Sequence, residues 1–324
     1  MNIIYVKNLK KSFGQIKAVD EVSFDVKEGE IFGLLGPNGA GKSTIMKILV
    51  TIIKKDAGVA VINGYDVEKQ QNLVRKSVGI IFQDPSLDER LNAWENLYFH
   101  SKFYHVPVKE IPGRINKALD FMSLSERKKD LVINFSGGMK RRLEIARGIL
   151  HTPKILFLDE PTIGLDPQTR KLIWQYLLNL RDKQKLTIFL TTHYMEEAEI
   201  CDRITIIDYG KIIAFDTPEN LKKSIKNDTI TLITDDNKEF SKLIKDKFNL
   251  ESTFSNGTLE IPVSEGKTFL PKLFEMAGGR IISADIKKPT IEDVFINLTG
   301  RKIREEEASS KDKLRDSVKR RKRT

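Results

Sequence analysis

The chain has 324 residues, 40% hydrophobic and 31% charged, a balance that suits one large domain with its own core plus a smaller one. No stretch reaches the roughly 18 consecutive apolar residues of a membrane helix, the N-terminus lacks a signal-peptide layout, and the single cysteine, Cys201, excludes an intrachain disulfide and reads as a small buried or half-buried hydrophobe. The net charge is +10, but residues 301–324 carry 11 Lys+Arg against 5 Asp+Glu, so the body is only mildly basic and nucleic acid is not an expected partner.

Taken in order, Ile3-Ile4-Tyr5-Val6 and Ala18 to Val26 read as strands. Lys10-Lys11-Ser12-Phe13-Gly14 reads as a turn between them, exposing in Phe13 a ring able to stack on a nucleotide base. A third apolar run, Ile31 to Leu35, leads into Gly36-Pro37-Asn38-Gly39-Ala40-Gly41-Lys42-Ser43-Thr44 and then the helical pattern Ile45 to Leu49. Strand, glycine-rich turn and helix, with four residues between Gly36 and Gly41-Lys42-Ser43, make a phosphate-binding P-loop of the Walker A pattern. Glycines let the backbone wrap an anion so that successive N–H groups and the helix N-terminus point at it. Lys42 can then reach the outer phosphates, and the Ser43 hydroxyl can ligate magnesium.

Strands follow at Val59 to Gly64 and Val78 to Phe82, the second delivering Gln83 to the carboxyl edge of the sheet, where open α/β folds bind ligands. From residue 84 to about 152 the periodicity is helical, which predicts a helical subdomain inserted between two strands. Ile155 to Leu158 then reads as a buried parallel strand presenting Asp159 and Glu160 at the same edge. Gln168 to Asp182 is an amphipathic helix, Leu186 to Thr192 a strand ending at His193, and residues 204–215 a hairpin about Tyr209-Gly210. The fold expected over residues 1–220 is an α/β P-loop NTPase cassette, its sheet mixed and mainly parallel with an antiparallel part. No second P-loop occurs, so one chain carries one nucleotide site.

Thr217-Pro218-Glu219-Asn220 reads as punctuation. Residues 221–300 have their own βαββαβ rhythm, with a hairpin at Asn256-Gly257, and suggest a small α+β, ferredoxin-like domain closed by a helix from Thr290 to Leu298. The basic tail, residues 301–324, is expected to be disordered. Its Lys319-Arg320-Arg321-Lys322-Arg323 run could rest on anionic lipid or simply stay solvated.

The motif order resembles the ATP-binding cassette family over residues 1–220. Gly36 to Thr44 match its Walker A and Gln83 its Q-loop; Phe135-Ser136-Gly137-Gly138-Met139 match its signature; Asp159 and Glu160 match its Walker B carboxylate and catalytic glutamate. Gly164-Leu165-Asp166 match its D-loop, His193 its switch histidine, and Phe13 its base-stacking aromatic. Phe135 and Met139 stand where Leu and Gln are usual, and Phe13 where Tyr is frequent; phosphate contact by Ser136 and the glycine backbone, and stacking by a ring, survive those changes.

The resemblance implies an ATPase using ATP and Mg2+. Lys42, Gln83, Glu160 and His193 would be catalytic, and Ser43, Gln83 and Asp159 would hold the metal. Phe13, Gly36 to Thr44, Ser136, Gly137, Gly138 and Asp166 would bind ATP, the signature serving the nucleotide of a second copy in a sandwich dimer. It further implies a separate transmembrane permease subunit docked near Gln83, and hence a place at the cytoplasmic face of the membrane. The sequence Pro289-Thr290-Ile291-Glu292-Asp293-Val294-Phe295 is similar to exporters of the daunorubicin-resistance type. A soluble cassette clamp acting on nucleic acid or ribosomes is the alternative; such proteins carry two cassettes or a long coiled coil, and neither occurs here.

Overall fold

A computed structural model describes residues 2–225, 228–255 and 257–300. The basic tail and Asn256 of the expected hairpin turn lie outside the described residues. Among those described, no helix is long and apolar enough to cross a membrane. The contacts divide the chain into two compact units, one ending at Pro218 and one beginning at Glu219.

The first unit opens with β1 (Asn2–Phe13), β2 (Ile16–Lys27) and β3 (Ile31–Leu35), followed by α1 (Lys42–Leu49). Then come β4 (Ala57–Ile62), β5 (Tyr65–Asp66), α2 (Gln71–Ser77) and β6 (Val78–Ile81). Helices α3 (Ala93–Phe103), α4 (Ile111–Phe121) and α5 (Gly137–Ile149) fill the interval before β7 (Ile155–Asp159). α6 (Pro167–Gln184), β8 (Thr187–Thr192), α7 (Met195–Ala198), β9 (Arg203–Asp208) and β10 (Lys211–Asp216) complete it.

Two sheets result. One is antiparallel with order β2-β1-β4-β5, and the other runs β10-β9-β3-β8-β7-β6, parallel except for the β10 edge. Strands β3, β7 and β8 are buried along their whole length, as a parallel sheet covered on both faces requires. Their register aligns Leu35 with Thr192 and Asp159 with Thr191, so the ends of three strands share one edge. Phe24, Phe32, Phe189 and Phe157 pack ring against ring across four strands with centroids 5.1–5.5 Å apart, tying the antiparallel sheet to the parallel one. Each such ring contributes about 1.5–3 kcal/mol by leaving water.

The segment from Lys10 to Phe13 is strand, not the turn its polar residues suggest. β1 runs on to Phe13 through register shifts near Leu9 and Lys11, and the turn is only Gly14-Gln15. Lys11 pairs with Asp56 at 2.7 Å, and the Asp56 carboxylate also accepts the Ser12 amide at 2.6 Å, so these polar residues fit an exposed strand face.

In the second unit, α8 (Pro218–Ser224) leads to β11 (Asp228–Thr234), α9 (Asn237–Phe248), β12 (Thr253–Ser255), β13 (Thr258–Val263), α10 (Gly266–Ala277), β14 (Ile281–Lys287) and α11 (Ile291–Thr299). The residues that read as punctuation at Thr217 to Asn220 thus start a helix, with Pro218 in its first turn, where its missing N–H costs nothing. The antiparallel order β12-β13-β11-β14 is the ferredoxin-like arrangement, and its buried face packs Ile230, Leu232 and Ile261 against Phe240, Ile244 and Leu273. Thr290 caps α11 reciprocally with Asp293.

Candidate active site

The P-loop hangs between β3 and α1. Gly36 donates its N–H to the Thr192 carbonyl at 3.3 Å, and the Ala40 carbonyl accepts from Gly210 of the β9–β10 turn at 2.9 Å. A Cβ on Gly36 would lie 2.3 Å from the Ile207 carbonyl oxygen, and one on Gly41, whose φ is +107°, 2.3 Å from that of Ala18. Both glycines are therefore needed to build the loop, before any phosphate enters. Pro37, Ala40, Gly41 and Lys42 are buried, Ser43 and Thr44 half-buried, and Asn38 and Gly39 form the exposed lip.

Lys42 Nζ donates to the carbonyls of Gly36 at 2.8 Å and Pro37 at 3.1 Å, and lies 3.7 Å from Glu160 Oε1. His193 Nδ1 is 3.1 Å from the same carboxylate oxygen. Burial pushes the Glu160 carboxyl upward, but the hydrogen bond and charge of His193, with the charge of Lys42, outweigh it and hold Glu160 below the ordinary value. Glu160 thus stays ionised beside Lys42 and His193. Its backbone is left-handed, φ +47°, an uncommon state for a residue with a side chain, and Thr191 holds it there by accepting its N–H at 3.1 Å. Ser43 Oγ donates to Asp159 Oδ1 at 3.3 Å, and the Thr191 hydroxyl donates to the same oxygen. Two hard oxygen ligands side by side at the mouth of an anion cradle fit Mg2+ bound to a polyphosphate.

The other residues expected at the site are not in this cluster. Gln83, exposed just beyond β6, lines a separate cleft of about 190 Å³ together with Gly137 and Gly164. Ser136 is exposed and caps α5 by accepting the Met139 N–H at 3.3 Å, while Phe135 beneath it is buried. Asp166 caps α6 by accepting the Thr169 N–H at 2.9 Å. Phe13 is 51% exposed at the tip of the β1–β2 hairpin, with Lys11 Nζ 5.5 Å from the ring centroid.

Sequence reasoning missed three charged residues that turn out to be buried. Arg141 and Glu144 on α5 form an ion pair at 3.1 Å with side-chain exposures of 7% and 0%. Glu197 on α7 accepts a 2.5 Å hydrogen bond from Thr162, two residues after Glu160, and burial pushes its carboxyl pKa up. A charged residue on an amphipathic helix reads as a solvated face, and only the approach of backbone carbonyls from other elements reveals otherwise.

Comparison with known proteins decides what this arrangement is. Residues 19–163 match the family model described as ABC transporter, and residues 217–299 the C-terminal domain of DrrA1-3-like ATP-binding proteins. The chain is 37% identical over 312 residues to the linearmycin resistance ATP-binding protein LnrL of Bacillus subtilis, covering 94% of this chain and 100% of that one. The chain belongs to the ABC transporter family. It is an ATP-binding, ATP-hydrolysing subunit of the exporter type. Other ABC relatives are the Nod factor export ATP-binding protein I of Rhizobium etli, 37% identical over 94% of this chain and 95% of its own, and the daunorubicin resistance ATP-binding protein DrrA2 of Streptomyces coeruleorubidus, 34% identical over 93% and 96%. Among solved ABC cassettes, dimeric MJ0796 superposes with a TM-score of 0.61 at 27% identity, covering 66% of this chain and 98% of that one. The same cassette as a post-hydrolysis dimer bound to ADP and Pi gives a TM-score of 0.60. Cassettes of this family bind adenine nucleotides, form dimers and work with separate transmembrane subunits.

Proposed function

We propose that this ABC subunit hydrolyses Mg2+-bound ATP in a sandwich between two cassettes and that closure of the sandwich drives a membrane-spanning partner. The observation that carries the reading is Glu160, buried, ionised and set between Lys42 and His193 at the edge where Asp159 meets Ser43. Phe13 stacks on adenine, and the amides from Gly36 to Thr44 wrap the phosphates. On binding, Lys42 exchanges its loop carbonyls for outer phosphate oxygens. Ser43 and Asp159, with Gln83, hold the metal, which when bound neutralises phosphate charge. Glu160 accepts a hydrogen bond from the attacking water and orients it, and His193 contacts the γ-phosphate. The exposed Ser136 and Gly137, with Gly138 and Asp166, complete the site of the facing copy.

The partner's occupant site is a groove of about 600 Å³ between the P-loop core and α3, lined by Ile52, Arg75, Ile80, Phe82 and Phe103. Phe103 is 81% exposed and Ile52 52%, an unusual apolar display flanked by a basic residue. A helix of a separate membrane subunit at the cytoplasmic face fits there, and Phe82 passes its position directly to Gln83. Size-exclusion chromatography of Glu160→Gln with ATP and Mg2+ tests the sandwich: an ATP-dependent dimer with turnover down by about 10²–10⁴-fold is expected, and a species that stays monomeric sinks it.

A further inference from the structure

Helix α5 does more than present the exposed Ser136. One turn further on, Arg141, 6% exposed, uses all its guanidinium donors on other elements or on Glu144. Its Nε donates to the Pro161 carbonyl at 2.6 Å; Nη1 donates to the Phe82 carbonyl at 2.6 Å and Glu144 Oε2 at 3.1 Å; Nη2 donates to the carbonyls of Asp159 at 3.2 Å and Glu160 at 3.3 Å. Glu144, 1% exposed, accepts the Ser86 N–H with its other oxygen at 2.9 Å, and Arg147 Nη1 donates to the Ser86 carbonyl at 2.6 Å. The segment from Phe82 to Ser86, which contains Gln83, is thus fastened to α5 at both ends. The same guanidinium grips the peptide groups that carry the Asp159 and Glu160 carboxylates.

We propose that Arg141, oriented by Glu144, is a positioning residue that sets the spacing between Gln83 and the Asp159–Glu160 pair. A rigid planar fork can serve carbonyls converging from two strand ends at once, whereas an ammonium at the same place serves fewer and fixes none of their directions. Burying this charge is expensive unless every donor is used, and here each is. Because its contacts with the strand ends are to backbone carbonyls and not to side chains, Arg141 transmits a displacement of α5 to both halves of the catalytic edge together. The inference rests on the assignment of Gln83, Asp159 and Glu160 to ATP hydrolysis.

The test compares full-length wild type, Arg141→Lys, Glu144→Gln and Gln83→Ala in two measurements: ATP binding in EDTA, and the steady-state ATPase rate as free Mg2+ is titrated. Binding in EDTA reports the P-loop alone and should stay within about twofold of wild type. The maximal rate should fall by about 10- to 100-fold in Arg141→Lys, less in Glu144→Gln, with half-saturating Mg2+ raised in both and in Gln83→Ala. Wild-type rate and Mg2+ dependence in both α5 variants overturn the proposal. So does a fall in EDTA binding that parallels the fall in rate, since that is general loss of structure. A wild-type Mg2+ response in Gln83→Ala instead overturns the assignment of Gln83, and the proposal with it.

Discussion

Two helices of the first unit begin at glycine-rich turns, and they differ in what their N-termini already hold. α1 starts from Gly41 in a left-handed conformation with no side-chain cap, and its first residue, Lys42, is buried against Gly36, Pro37 and Glu160 of the same chain. α5 starts from Ser136, capped by its own hydroxyl, with Ser136 and Gly137 exposed. One cradle is finished by groups from β3, β7 and β8; the other faces outward. On the proposed sandwich, the difference means that a single chain is complete for binding ATP and incomplete for hydrolysing it.

The sharpest way to break that comparison is Ser136→Arg, which fills the outward cradle and leaves the inward one alone. ATP binding by the isolated chain should be unchanged, while turnover drops by about 10²-fold or more, as when a preorganised donor to a developing charge is lost; equal loss of binding would show that the two cradles are not independent. Phe13→Ala acts on the inward site with a smaller effect. Calorimetric titration should find ATP affinity reduced by about 0.5–1.5 kcal/mol, with guanine and adenine nucleotides weakened alike because stacking tolerates either base.

The smallest expected effect concerns how the inward site is held. Glu160 has a folded pKa below its ordinary 4.5, so its ionised form stabilises the fold above that pH, and the contribution disappears as pH falls through the lower folded value. Glu160→Gln should therefore unfold at a lower temperature than wild type near pH 7, the gap closing in acid. A gap that widens below pH 4.5 would mean that Lys42 and His193 do not hold the carboxylate as the geometry indicates.

The inward cradle was nearly all legible in the sequence, because its signals are local: an apolar run, glycines at fixed offsets, a lysine, and carboxylates at a strand end. β3, β7 and β8 fell within a residue or two of their expected limits for the same reason. Less was legible where a residue's meaning depends on distant backbone. The polar string from Lys10 to Phe13 continues a strand because Asp56 meets it from the segment ahead of β4. Arg141 and Glu144 carry no local sign of burial, because nothing nearby in sequence reveals the carbonyls of Phe82 and Pro161 converging on Arg141 or the Ser86 N–H reaching Glu144. That Ser136 faces outward follows from its exposure; that Gln83 lines a cleft with Gly137 is a matter of tertiary packing that periodicity does not encode.

The backbone of Glu160 carries a consequence of its own. At φ +47° a glycine or asparagine would sit with less steric conflict than glutamate. The backbone conformation alone disfavours glutamate here, and it persists because Thr191 takes its N–H while Arg141 donates to its carbonyl. On the proposed mechanism, this position accepts a less relaxed backbone in order to set a carboxylate at the reacting edge.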